Sequence, residues 1–205
     1  MTIEELVRSG DGLVIRCLRN VGRMENNIFL VSDAATGEAY VIDAGYEPEA
    51  IARAADGLRV KSILVTHGHL DHHENVRVLK GLLRAPVAIG IDDAGQLSVE
   101  PDDLIVDQQT FAFGAHALQA IHTPGHTPGS TCFVYREHLF TGDTLFPGGP
   151  GNTQGDPVRF ERIIASIRER LFSLPDETNV YPGHGRDTTI GRERPHLEEW
   201  IARGW

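Results

Sequence analysis

The apolar and polar positions along this 205-residue chain change period repeatedly, and the changes mark out its elements. Short apolar runs bounded by Gly, Asn or Asp read as strands over 13–19, 28–31, 39–42, 63–65, 86–91, 104–106 and 111–113. A further run over 114–121 alternates imperfectly. Residues 20–27, with Gly22, and Thr36-Gly37-Glu38 read as turns. Pro48 opens a short helix over 47–55. A second helix is expected to start near Asp71 and to run through Asn75, Val76, Val78 and Leu79 to about residue 84. Residues 92–97 suit a single helical turn. Residues 158–172 form an amphipathic helix whose buried face carries Ile163, Ile164, Ile167 and Leu171. Strands and helices interleave, yet hairpin-like strand pairs also occur, which a purely parallel sheet would not need. Two mixed sheets with helices outside fit this pattern better. No heptad run, low-complexity tract, linker or internal repeat divides the chain, so residues 1–205 are expected to form one domain.

Composition changes this picture little and narrows the function. Hydrophobic content of 40% and charged content of 23% are ordinary for a globular chain of this length. The formal charge of −10, with Lys and Arg scattered, argues against a nucleic-acid surface. Cys17 and Cys132 lie far apart in apolar runs and read as small buried hydrophobes, without a disulfide framework. Glu4 and Glu5 stand early, no signal-peptide core follows, and no apolar run approaches the ~18 residues that span a bilayer. The simplest expectation is a cytoplasmic, reduced, soluble protein, free of membrane partners and acting on a small molecule, with a homo-oligomer left open.

The chemistry concentrates in Thr66-His67-Gly68-His69-Leu70-Asp71-His72, directly after the apolar run 63–65. His67 and His69 are two apart, so in an extended segment their side chains point to the same side. Imidazole and carboxylate are ordinary ligands for zinc and similar divalent ions. Three more polar residues stand near Gly or Pro beside apolar strands. They are His126 in Thr-Pro-Gly-His-Thr-Pro-Gly, Asp143 in Thr-Gly-Asp-Thr-Leu-Phe, and His184 in Tyr-Pro-Gly-His-Gly. Each alone reads more readily as a turn or surface loop, but with the first cluster they suggest outposts of one site on loops at a sheet edge. Asp43, at the end of 39–42, suits either a turn or a carboxylate behind a ligating imidazole. Of the remaining histidines, His73 is expected to point elsewhere and His122 to stand behind the ligands. His116, His138 and His196 suit surface or packing positions.

These motifs, with Ile42-Asp43-Ala44-Gly45 and Gly191-Arg192-Glu193-Arg194, resemble the metallo-β-lactamase superfamily, and most of all its glyoxalase II-like branch. The resemblance spans about residues 27–195. It implies a four-layer αβ/βα sandwich, two mixed β-sheets flanked by helices, with the site at one edge between the sheets. It implies that His67, His69 and His126 hold one metal, that Asp71, His72 and His184 hold a second, and that Asp143 bridges them. Seven N/O ligands without a thiolate suit two divalent ions, zinc first, with iron or manganese compatible. Two such ions lower the pKa of a shared water to near neutrality, giving a hydroxide nucleophile without a Ser or Cys. Asp71 would orient that hydroxide and accept a proton later, so Asp71 and Asp143 are the candidate catalytic carboxylates. A thiolate is the easiest leaving group to expel, which makes a thioester or ester-like carbonyl the first substrate class.

The sequence also departs from that branch. The chain ends about twenty residues after His184, leaving no room for the helical region that supplies basic residues to glutathione. After Asp143 it reads Gly148-Gly149-Pro150-Gly151-Asn152-Thr153-Gln154-Gly155, with Asn152 where many relatives carry a basic residue. This loop is a candidate lid or a plain connection. Met24, Tyr46 and Phe146 are candidate pocket residues. Rival readings are an iron-dependent persulfide dioxygenase-like oxidoreductase using one metal and a subset of these ligands, and a lactonase or β-lactamase-like hydrolase with a different pocket. A vestigial, non-catalytic site is disfavoured because every ligand position is filled.

Overall fold

A computed structural model describes residues 3–204. The first sheet contains β1 (Glu4–Gly10), β2 (Leu13–Val21), β3 (Asn26–Asp33), β4 (Glu38–Ile42), β5 (Arg59–Val65), β6 (Val87–Gly90) and β7 (Asp103–Ile105), adjacent in that order. β1 to β4 pair antiparallel and β4 to β7 parallel, so the sheet is mixed. The parallel half requires crossovers. One is made by α1 (Pro48–Ala54) and one by α2 (Val76–Leu83).

The second sheet contains β8 (Thr110–Phe113), β9 (His116–His122), β10 (Thr131–Tyr135) and β11 (His138–Gly142). A small hairpin of β12 (Leu145–Phe146) and β13 (Gly149–Pro150) follows, then β14 (Asn179–Pro182) and β15 (Thr188–Thr189). Its order is β15-β14-β11-β10-β9-β8, with only β11 and β14 parallel. α3 (Pro157–Ser166) fills the crossover between those two strands and passes into a wider turn over Ile167–Leu171. Asp156 caps α3 by accepting from the Val158 and Arg159 amides, and Pro157 begins it. α4 (Ile190–Glu193) and α5 (Leu197–Arg203) close the described chain.

Alternation along the strands builds the layers. Ile15 and Cys17 of β2, Phe29 and Val31 of β3, Tyr40 and Ile42 of β4 and Leu64 of β5 face the second sheet. There they meet Phe111, Phe113, Leu118, Phe133, Phe140 and Tyr181. The intervening Ile28, Leu30, Val41, Ile63 and Val65 face outward, onto Ile51 of α1 and Val76 and Leu79 of α2. On the far side, Cys132, Leu139 and Val180 pack under Ile163, Ile164, Ile167, Leu171 and Trp200. The result is four layers, helix–sheet–sheet–helix, with both sheet interiors buried on two faces. Both cysteines are free and buried, and no helix is long and apolar enough to cross a membrane.

Three details correct the sequence reading. β1 is absent from the predicted strands, because its residues alternate between exposed and half-buried without an apolar stripe. The helix expected from Asp71 is instead a single 3-10 turn, Leu70–His72, with α2 starting only at Val76. Between them the His72 carbonyl accepts from the Ala44 amide, and the Asn75 amide donates to the Ala44 and Gly45 carbonyls, tying this segment to the end of β4 instead of to a helix. The amphipathic stretch 158–172 keeps its predicted buried face but loses regular α geometry after Ser166.

Candidate metal centre

The strand ends that carry the motifs converge at one rim between the two sheets. β5 delivers His67 and His69, the 3-10 turn after it delivers Asp71 and His72, the β9–β10 loop delivers His126, β11 delivers Asp143 and β14 delivers His184. Potential ligand atoms form three groups, each mutually within 4.8 Å: His67–His69–His126, Asp71–His72–His184, and His67–His72–Asp143. The third joins the first two. Asp143 Oδ1 lies 3.4 Å from His72 Nε2, and its Oδ2 lies 3.6 Å from both His126 Nε2 and His184 Nε2. His67 Nε2 and His69 Nδ1 are 3.2 Å apart. All seven predicted ligands therefore meet in one cluster.

Of the five ligand rings, four have their opposite nitrogen held by a specific partner, which aims the ligand atom inward. His72 Nδ1 is 2.8 Å from Asp43 Oδ2, and His67 Nδ1 is 3.0 Å from Thr66 Oγ1. His126 Nδ1 is 2.8 Å from the Asn152 carbonyl, and His184 Nδ1 is 2.9 Å from the Met24 carbonyl. Asp43 thus stands behind a candidate ligand, and it also accepts from the Thr66 amide at 2.8 Å, locking the cluster to the end of β4. Asn152 and Met24 act here through backbone oxygens. The Asn152 side chain instead caps the Gln154 amide at 2.7 Å. Phe146 stacks beside His184 with ring centroids 6.5 Å apart. Tyr46 is buried in the layer beneath α1, its ring packed against Gly22 and its hydroxyl accepting from Arg23 Nε. Its place is in packing rather than among the ligands.

Two supports escaped the sequence reading. Asn26 is fully buried and donates to Asp71 Oδ2 at 3.0 Å. Asp93 is fully buried in the 3-10 turn Ile91–Gln96. One of its oxygens accepts from Gly68 N at 2.8 Å and Thr127 Oγ1 at 2.6 Å, and the other accepts from Gly129 N at 2.8 Å. It therefore clamps the His67–His69 loop to the His126 loop. Among the other histidines, His73 turns away to the Gly68 carbonyl and His122 to that of Pro128. His116, expected at the surface or in packing, is a buried partner of Asp33 and Tyr135 far along the sheet.

The donor set fits divalent cations. His126 Nε2 and Asp143 Oδ1 are buried yet have no hydrogen-bond partner, although buried polar atoms normally have one. Burial, reinforced by neighbouring imidazoles, drives the His67 pKa well below its ordinary value, keeping a lone pair available. Burial likewise lowers His69 and His126. At His72, burial opposes protonation but the Asp43 and Asp143 carboxylates outweigh it and raise its pKa. Burial would raise Asp71, yet hydrogen bonding from His184 and the charge at His72 hold it well below the usual carboxylate range. The carboxylates thus demand positive charge at the centre of the cluster, which a divalent ion supplies without protonating its ligands. Close packing preserves the geometry. A Cβ on Gly45 would lie 1.6 Å from the Asp71 carbonyl, and one on Gly151 1.8 Å from that of Asp143.

Comparison with known proteins agrees with this geometry. The profile of the metallo-beta-lactamase superfamily matches residues 21–184, and the chain belongs to that superfamily of metallohydrolases. Among its relatives is hydroxyacylglutathione hydrolase GloC of Haemophilus influenzae, 32% identical over 204 residues, covering 85% of this chain and 92% of that one. Another is the probable polyketide biosynthesis zinc-dependent hydrolase BaeB of Bacillus velezensis, 32% identical over 176 residues, covering 84% and 78%. A solved structure of TTHA1623 in a di-iron-bound form is 33% identical, with a TM-score of 0.71 over 85% of this chain and 94% of that one.

Proposed function

We propose that this protein is a dinuclear metallohydrolase that cleaves a thioester or ester-like carbonyl, with zinc the first candidate metal. The observation that carries the reading is Asp143, which reaches toward His72 and His184 on one side and His126 on the other. A carboxylate shared by two ligand triads suits a pair of ions better than a single structural one. His67, His69 and His126 would hold one ion; Asp71, His72 and His184 the other. When bound, such a pair supplies Lewis acidity that activates water near neutral pH and stabilises charge developing on a carbonyl oxygen.

The protein's own groups then do defined work. Asp43 keeps His72 oriented and electron-rich through Nδ1. Asn26 donates to one oxygen of Asp71, and the carboxylate, held in its ionised form, can accept a hydrogen bond from the attacking water and orient it. Neither buried cysteine serves as nucleophile, since burial raises both thiols to about 11. The hydroxyacylglutathione hydrolase relatives support the thioester class, and we take the substrate to be a small molecule.

The test is elemental analysis of purified protein, followed by hydrolysis assays on thioesters, lactones and β-lactams and oxygen uptake on glutathione persulfide. Two metal equivalents with thioester turnover are expected. One iron per chain with persulfide-dependent oxygen uptake would replace this reading by the dioxygenase one.

A further inference from the structure

Beside the first ligand triad lies a cavity of about 340 Å³ lined by His69, Gln96, Thr127, Gln154, Arg159 and Arg162, with Gly125 and Pro128 completing its wall. In a chain where acidic residues outnumber basic ones 29 to 19, no carboxylate lines this cavity. The two arginines lie three residues apart on α3, so they project from one face of the helix. Their situations differ. The Arg159 guanidinium is already engaged, donating to the Gly125 carbonyl at 3.2 Å, to the His126 carbonyl, and to Gln154 Oε1 at 3.3 Å. It holds the His126 loop in place. Arg162 is exposed and makes no ion pair or hydrogen bond among the described residues. It presents a free planar fork to a cavity whose other wall is a candidate metal ligand.

The opposite flank of the site has another character. There Phe146 stacks beside His184, and Met24, more than half exposed, carries the carbonyl that orients the same ring. One side of the metal centre is therefore cationic and rich in amides, and the other presents the Phe146 ring and the Met24 side chain.

We propose that this cavity is an oxyanion-recognition subsite in which Arg162, with Gln96 and Gln154 beside it, binds a carboxylate or phosphate carried by the substrate. The proposal rests on the hydrolase reading for the position of the reacting carbonyl, and it defines a substrate class: thioesters or esters with an anionic group on the His69 side. Arginine suits this task because its coplanar N–H groups match both oxygens of a carboxylate or phosphate.

Ligand binding tests the subsite independently of turnover. Three thiols are titrated calorimetrically into metal-loaded protein: 3-mercaptopropionate, 2-mercaptoethyl phosphate and 2-mercaptoethanol. A thiolate can anchor each of them to a metal, so the comparison isolates the anionic tail. At least one anionic thiol is expected to bind about tenfold more tightly than the neutral one. The preferred tail identifies carboxylate or phosphate as the natural group. In Arg162→Gln this ratio should fall toward one, and in Arg162→Lys it should be partly retained, with metal content checked in each variant. Equal binding of all three thiols, failure of the anionic pair to bind, or an unchanged ratio in Arg162→Gln overturns the subsite. Thioester assays on the wild type run in parallel. An anionic preference without thioester turnover leaves the subsite standing and removes the thioester reading, whereas turnover without the preference does the reverse.

Discussion

At the residue scale, the cluster depends on single atoms aimed by single partners. Asp143→Ala takes away the carboxylate facing both triads, and it is expected to remove most bound metal and nearly all hydrolysis. Metal content near the wild-type value would contradict the bridging role. Asp43→Ala leaves the ligand atoms in place but frees His72 Nδ1, now 2.8 Å from its carboxylate. Metal affinity should fall about 10- to 100-fold, read by competition with a chromogenic chelator, while the far-ultraviolet spectrum stays unchanged. Both target residues were legible in the sequence: Asp143 by its motif, and Asp43 as an Asp at a strand end. Asn26 was not, because nothing in an Asn pair at a turn says that the chain will fold Asn26 against Asp71. The backbone carbonyls of Met24 and Asn152 were equally hidden, since a carbonyl is present at every position and only the fold selects which one orients a histidine.

At the scale of elements, the site is held by loops that would be loose on their own. Asp93 joins two of them through hydrogen bonds to Gly68, Thr127 and Gly129. Replacing it by Ala leaves the Gly68 and Gly129 amides unpaired, each costing about 1–3 kcal/mol. Asp93→Ala should therefore lower the urea midpoint clearly and weaken metal binding at the His67–His69–His126 triad, since that clamp fixes two of its loops. A variant with wild-type midpoint and metal content would show that the clamp is dispensable. The core strands were readable because buried apolar runs keep their period whatever they pair with. β1 was not, because an edge strand that buries little has no stripe to display. The start of the predicted helix at Asp71 was misplaced for a related reason. Local propensity favours continuing the turn, but backbone bonds to Ala44 and Gly45 offer the segment better partners.

For the whole molecule, the two sheets are joined at the end remote from the metal cluster by charged groups. Hydrogen bonds from the Thr36 hydroxyl and amide hold the Asp33 carboxyl below its ordinary pKa, and the Gly114 amide does the same for Glu38. Asp33 also accepts from the Ala115 amide and faces His116. Because these carboxyls bind protons less readily folded than unfolded, their contribution is fully present above the unfolded values near pH 4. It is lost as pH falls through the lower folded ones. The melting temperature of chelated protein should therefore drop on acidification below about pH 4. Asp33→Asn combined with Glu38→Gln should flatten that drop; an unchanged profile would remove these groups from the account. Using chelated protein keeps acid release of metal from masking the effect.

The sequence by itself determined the apolar periods, hence most strands of the first sheet, the start of the second and the buried face of α3. It also supplied the candidate ligands, because the motifs that hold them resemble those of the metallo-β-lactamase superfamily, whereas His126, Asp143 and His184 taken singly read as turns or loops. Only the tertiary structure decided which partner aims each ring, that Tyr46 belongs to packing, that Asn26 and Asp93 belong to the site, and that Arg162 faces a cavity next to His69. These features depend on distances between residues far apart in the chain, created when two sheets close on one another, and no local pattern encodes them.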